Sequence, residues 1–128
     1  MSKKSNYIST NRSKHYLKCH LIFVCKYRKK LLTGQLNDDI KHIFQSIANG
    51  SDFEIEVMET DLDHIHFLIR YIPRWSIAQI VRRLKQQSTL NIWQLHSTTL
   101  RKHYWYKDMF WSDGYFVCSI GEASPDTV

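Results

Sequence analysis

The stretch Asp61-Leu62-Asp63-His64-Ile65-His66-Phe67-Leu68-Ile69 decides how the chain is read. Its residues alternate polar and apolar from His64 onward, as a half-buried strand does. Side chains in a strand change faces at every step, so both imidazoles project from one face, while Ile65, Phe67 and Ile69 project from the other. The apolar side reads as core. Two neutral imidazoles side by side on an open sheet face are placed to grip one divalent metal ion. A lone His-x-His is also compatible with two solvent-facing histidines that share no role. Asp61 and Asp63, just before the pair, stand as ligand or as orienting carboxylates.

Elements on either side supply the rest of the fold. Upstream, Tyr16 to Lys26 alternates as a strand, with Leu17, Cys19, Leu21, Phe23 and Cys25 on one face and Lys18, His20, Ile22, Val24 and Lys26 on the other. Thr33-Gly34 marks a turn into a helix over 35–49, in which Leu36, Ile40, Ile43, Phe44 and Ile47 recur at helical spacing and Asn49-Gly50 ends it. His42 falls on its outer surface. Phe53, Ile55 and Val57 alternate with Glu54, Glu56 and Met58 as a second strand, which residues 60–63 turn directly into the His-Ile-His strand. Pro73 ends that strand. A long helix then covers 76–96, burying Ile77, Ile80, Val81, Leu84, Ile92 and Leu95. Residues 97–112 form a connector rich in aromatics, read as packing onto the core in preference to a stacking platform. Tyr115 to Ile120 is the last strand, and Ser124-Pro125-Asp126 has the residue types of a helix start.

Strand, helix, strand, strand, helix, strand is the order of a ferredoxin-like sandwich, an α+β fold with an antiparallel sheet covered by helices on one face. The 128 residues suit a single domain spanning 1–128. The paired histidines belong on the uncovered face.

Composition narrows the function classes. Eighteen Lys and Arg against twelve Asp and Glu leave a net charge of +6, a sign that suits a polyanionic partner. No apolar run is long enough to span a bilayer, and the polar start lacks the apolar block of a signal peptide, so a cytoplasmic location is expected. Cys19, Cys25 and Cys118 have no metal-type spacing and read as reduced, small apolar side chains. There is no glycine-rich phosphate loop. Lys26-Tyr27-Arg28-Lys29-Lys30 is either a solvated loop or a phosphate clamp with Tyr27 free to stack on a base. Arg82, Arg83 and Lys85 fall away from the buried stripe of the long helix and could line a channel for the same ligand. A metal on the two imidazoles, with positions left open, would polarise a phosphoryl oxygen; Mg²⁺ or Mn²⁺ suits that chemistry, Mn²⁺ tolerating imidazole better.

Over nearly its whole length the chain resembles the single-tyrosine HUH transposases of small bacterial and archaeal insertion sequences and the related repeat-associated transposases. The resemblance rests on the first strand running into Lys26 to Lys30, on Asp61 to His66, on the helix carrying Arg82 to Lys85, and on Phe110-Trp111-Ser112-Asp113-Gly114-Tyr115-Phe116-Val117. It implies that His64 and His66 bind Mg²⁺ or Mn²⁺ in a catalytic site. It also implies that a tyrosine on a C-terminal helix forms a 5′-phosphotyrosine link, with a glutamine one turn later completing the metal site. Family members act on single-stranded DNA, recognise hairpins at element ends and work as homodimers with composite sites. By this resemblance the tyrosine falls a few residues past Val128, so the expectation is a shortened form, or one whose nucleophile comes from a partner, that binds DNA better than it cuts it. Tyr115 matches a structural aromatic. The rival expectation is a non-enzymatic single-stranded nucleic-acid-binding module on the same fold.

Overall fold

The computed structural model describes residues 16–120. The expected order is present: β1 (Leu17–Val24), α1 (Gly34–Asn49), β2 (Glu54–Asp61), β3 (His64–Tyr71), α2 (Ile77–Leu100) and β4 (Phe116–Ile120). A single 3₁₀ turn, Lys26–Arg28, follows β1. The four strands form one sheet in the order β2-β3-β1-β4, every neighbouring pair antiparallel. This is the ferredoxin-like sandwich. The expected helix start at 124–126 lies outside the described residues.

Strand pairing transmits the alternation of β3 across the sheet. Leu21 pairs with Phe67 and Phe23 with Ile65, and all four are fully buried beneath α1 and α2. Ile22 pairs with His66 and Val24 with His64 on the opposite face, which neither described α-helix covers. Aromatic rings fill the centre of the core: Phe44 meets Phe67 edge-on at 4.8 Å, and Phe110 meets Trp111 at 4.7 Å. Trp111 directs its indole N–H to Ser88 Oγ at 3.0 Å, which explains a buried serine on the core face of α2.

Four local readings need correction. β2 carries a bulge between Ile55 and Val57, so its alternation reverses part-way: Met58 takes the core face and Val57 the open one, 37% exposed. Helix α2 continues to Leu100 through a non-helical residue, His96 (φ −131°, ψ 33°), and Leu95, expected on the buried side, is 60% exposed. The aromatic connector divides: Tyr104, Phe110 and Trp111 are buried, whereas Trp105 and Tyr106 are exposed. Lastly, the turn between β2 and β3 is only Leu62-Asp63, with Leu62 in the left-handed region (φ 54°).

That turn is pinned from outside the hairpin. Leu32 N–H donates to the Leu62 carbonyl and Cys25 N–H to the Asp63 carbonyl, each at 2.8 Å. The segment after β1 therefore lies against the start of β3. The basic run and the His pair are brought together by backbone hydrogen bonds, although about forty residues separate them in the chain.

Candidate nucleic-acid and metal site

His64 and His66 stand on the open face of the central strand β3, their side chains 37% and 28% exposed. Each has an acidic neighbour. His64 Nδ1 lies 3.0 Å from Asp63 Oδ1, which leaves its Nε2 directed away from the carboxylate. His66 Nδ1 lies 3.8 Å from Glu59 Oε1, its cross-strand partner on β2. The other nitrogen of His66, Nε2, is 2.8 Å from His20 Nδ1, and the two rings stack with centroids 4.9 Å apart and planes 14° from parallel. With Glu59 facing Nδ1 of His66, the arrangement that satisfies both neighbours puts the His66 proton on Nδ1 and lets His20 Nδ1–H donate to Nε2.

Asp63 joins this pair to the basic segment. Its second oxygen accepts from Arg28 Nε at 3.2 Å, so one carboxylate holds His64 on one side and a guanidinium on the other. The bond to His64 and then that to Arg28 hold the Asp63 carboxyl below its ordinary value, against the opposing effect of burial. Arg28 reaches this position because Tyr27 and Arg28 both adopt left-handed backbone (φ 62° and 54°), which is costly for residues with a side chain. The surrounding structure imposes it: Lys26 N–H donates to the Phe110 carbonyl at 2.8 Å, and the Tyr104 hydroxyl donates to the Lys26 carbonyl at 2.9 Å. Lys26 Nζ lies 3.6 Å from Asp113 and 5.4 Å from the Tyr27 ring. Lys30 is exposed at the edge of a groove of about 440 Å³ that it shares with His96, Thr99 and His103.

The geometry fits a sequence match. The family model for IS200-like transposases matches residues 13–128. The chain belongs to the IS200-like transposase family. Among its relatives, the ISDra2 transposase TnpA of Deinococcus radiodurans is 30% identical over 108 residues, covering 84% of this chain and 76% of the relative. The transposase for insertion sequence element IS200 of Salmonella typhimurium is 28% identical over 105 residues, covering 82% of this chain and 68% of the relative. A crystal structure of a Deinococcus radiodurans R1 protein assigned as a transposase superposes with a TM-score of 0.76 at 27% identity, covering 84% of this chain and 82% of that one. A repeat-associated tyrosine transposase bound to a REP hairpin shares the fold, with a TM-score of 0.60 at 18% identity over 87% of this chain and 59% of that one.

Other expected site residues of this transposase-family chain lie elsewhere. Helix α2 packs on the covered face of the sheet, so Arg82, Arg83 and Lys85 do not share a channel with the imidazoles. Arg83 is held within the fold, with Nε donating to Ser51 Oγ at 2.7 Å and a guanidinium nitrogen 3.5 Å from the Gly50 carbonyl. Lys85 likewise donates to the carbonyls of Ser112, Asp113 and Gly114 at 2.7, 3.2 and 2.8 Å, and it sits over the Phe23 ring. Burial lowers its pKa, and the charge of Asp113 partly offsets this. Both residues hold loops. Arg82 alone of the three remains exposed.

Three partners were not legible beforehand. His20 was visible only as a residue of the open face; its contact with His66 depends on β1–β3 register. Glu59 reaches His66 through the bulge in β2, which no residue type in that strand signals. The Arg28 contact depends on the left-handed turn. Asp61, the other acid expected at the pair, is exposed and pairs with His64 in the backbone ladder.

The donor set would suit a divalent ion if His20 gave up its bond to His66 Nε2, since both nitrogens of His66 face a neighbour in this structure. Two imidazoles share one face, and a carboxylate beside each can fix its tautomer, as in many metal sites. Among the described residues, no group of three His, Cys, Asp or Glu side chains is close enough to enclose an ion. No helix among the described residues is long and apolar enough to cross a membrane.

Proposed function

We propose that this transposase-family chain binds a single-stranded hairpin end of an insertion element and presents one phosphate to Mg²⁺ or Mn²⁺ held by His64 and His66. The observation that carries the reading is the continuous path from Arg28 through Asp63 to His64, which sets a phosphate-binding cation beside a prospective metal ligand. When bound, the metal would polarise a non-bridging phosphate oxygen and offset charge building up at phosphorus. The chain's residues do the positioning. Asp63 orients His64 and restrains Arg28, while Lys26, Lys29 and Lys30 supply positive charge along the backbone path, with Tyr27 at its edge. Cleavage and rejoining would pass through a 5′-phosphotyrosine, in a homodimer, as the family resemblance implies. A structural relative bound to a REP hairpin supports the choice of substrate.

Two described tyrosines are unsuited to be the nucleophile. Tyr104 is buried, its hydroxyl donates to backbone carbonyls, and burial raises its pKa well above the ordinary phenol value. Tyr71 is buried and also raised, first by desolvation. Tyr115 stands over Lys85, among the loops that Lys85 ties together.

The test is Mn²⁺ titration of the wild-type chain and of His64→Ala/His66→Ala, followed by calorimetry or electron paramagnetic resonance. Loss of binding in the double variant is expected, and unchanged binding would refute the site. Replacing Lys26, Arg28, Lys29 and Lys30 together should flatten the salt dependence of single-strand binding by about 0.7 log unit for each phosphate no longer neutralised.

A further inference from the structure

The two exposed members of the aromatic connector are not packing residues. Trp105 is 76% exposed and Tyr106 69%, an unusual position for an indole. Trp105 meets the exposed ring of Tyr27 at 6.0 Å with the planes 74° apart, so the two rings form an open, right-angled corner. One side of the corner is braced by the core. Tyr27 also rests against the buried ring of Tyr104 at 6.3 Å, and the Tyr104 hydroxyl is bonded to the carbonyls of Lys26 and Phe110. The Tyr27 backbone lies in the left-handed region (φ 62°).

Positive charge predominates near the corner, although Arg28 and Lys26 are paired with Asp63 and Asp113 and exposed Asp108 follows Tyr106 by two residues. Arg28, Lys30, Arg101 and Lys102 are exposed neighbours in the chain, and Lys26 lies beside the Tyr27 ring. Solvent-facing aromatic faces bordered by cations are what an unpaired base with a phosphate on each side requires. An apolar protein partner would be poorly matched to that border. Arg28 links the corner through Asp63 to His64, so a strand with one base there could run its phosphate toward the His pair.

We infer that Trp105 and Tyr27 form a stacking corner for one unpaired nucleobase of single-stranded DNA, next to the phosphate presented to His64 and His66. This rests on the single-strand reading proposed above. The corner fixes where along the strand that phosphate falls, and its preference is for any base over none, since every base has a π-face.

The experiment compares an oligothymidylate of about ten nucleotides with an abasic deoxyribose-phosphate oligomer of equal length, titrated into the full chain and followed by tryptophan fluorescence and anisotropy. Oligothymidylate should quench emission, and Trp105→Ala should weaken its binding by about 5- to 150-fold. Affinity for the abasic oligomer should be unchanged. Trp105→Phe should restore most of the affinity without the quench. Tyr27→Asn, chosen because Asn tolerates left-handed backbone, should weaken oligothymidylate binding in the same way. Equal binding of oligothymidylate by the wild type and Trp105→Ala would overturn the corner while leaving the single-strand reading intact. So would a change in sedimentation of Trp105→Ala with no change in DNA binding, because it would make the aromatics a protein contact. Failure of the wild type to bind either oligomer would remove the single-strand reading and this inference together.

Discussion

Replacing Lys85 with Met separates a structural lysine from a DNA-binding one. Its ammonium donates to three consecutive carbonyls, those of Ser112, Asp113 and Gly114, and so anchors the loop that leads into β4. Hydrogen bonds to a charged group contribute about 1.5–3 kcal/mol each. They do not add here, because Asp113 and Gly114 are exposed and water can replace the lysine at their carbonyls. Ser112 is half-buried, and its carbonyl receives the shortest bond. Counting that bond alone puts the loss at about 2 kcal/mol. Met keeps most of the apolar stem over Phe23. For a domain of this size, such a loss lowers Tm by about 8 °C. The assay is a thermal melt of Lys85→Met, paired with the salt dependence of single-strand binding measured well below the melting temperature. The expected result is a lowered Tm with an unchanged salt slope. An unchanged Tm with a slope reduced by about 0.7 would refute the reasoning and make Lys85 a phosphate ligand.

Other consequences follow from single side chains. His20→Ala removes the N–H that occupies His66 Nε2, a bond of about 1 kcal/mol net, so Mn²⁺ should bind about five-fold tighter; weaker binding would make His20 a support for the metal instead. The Asp39 carboxyl is held below its unfolded value of 3.8, first by the bond to His96 and then by that to Gln35. A depressed folded-state pKa stabilises above the unfolded value, and the contribution is lost as pH falls through the folded one. Asp39→Asn should therefore flatten the fall of Tm below about pH 4, and a profile parallel to wild type would count against the pair. Burial pushes the Cys25 thiol up to about 12 and that of Cys19 to about 11, whereas Cys118 is exposed. One thiol should thus react rapidly with an aromatic disulfide at pH 8, and Cys118→Ser should abolish that phase; two rapid equivalents would show that β1 opens readily.

The alternation of β3 was sufficient, unaided, to set His64 and His66 on one face and the core on the other, because a strand repeats every two residues whatever surrounds it. The order of elements likewise specified the ferredoxin-like sandwich, and the run at Lys26 to Lys30 declared itself as basic. Local pattern stopped being informative where contacts cross the chain. The bulge in β2, the exposure of Leu95 and the division of the connector into buried Tyr104 and exposed Trp105 arise from how elements fit one another. The same holds for charges. Lys85 and Arg28 look alike in the sequence, yet one is enclosed by loop carbonyls and the other reaches Asp63 beside His64. A residue type specifies what a side chain can bond to. Only the packed backbone, here two left-handed residues and a pinned turn, decides which partner it meets.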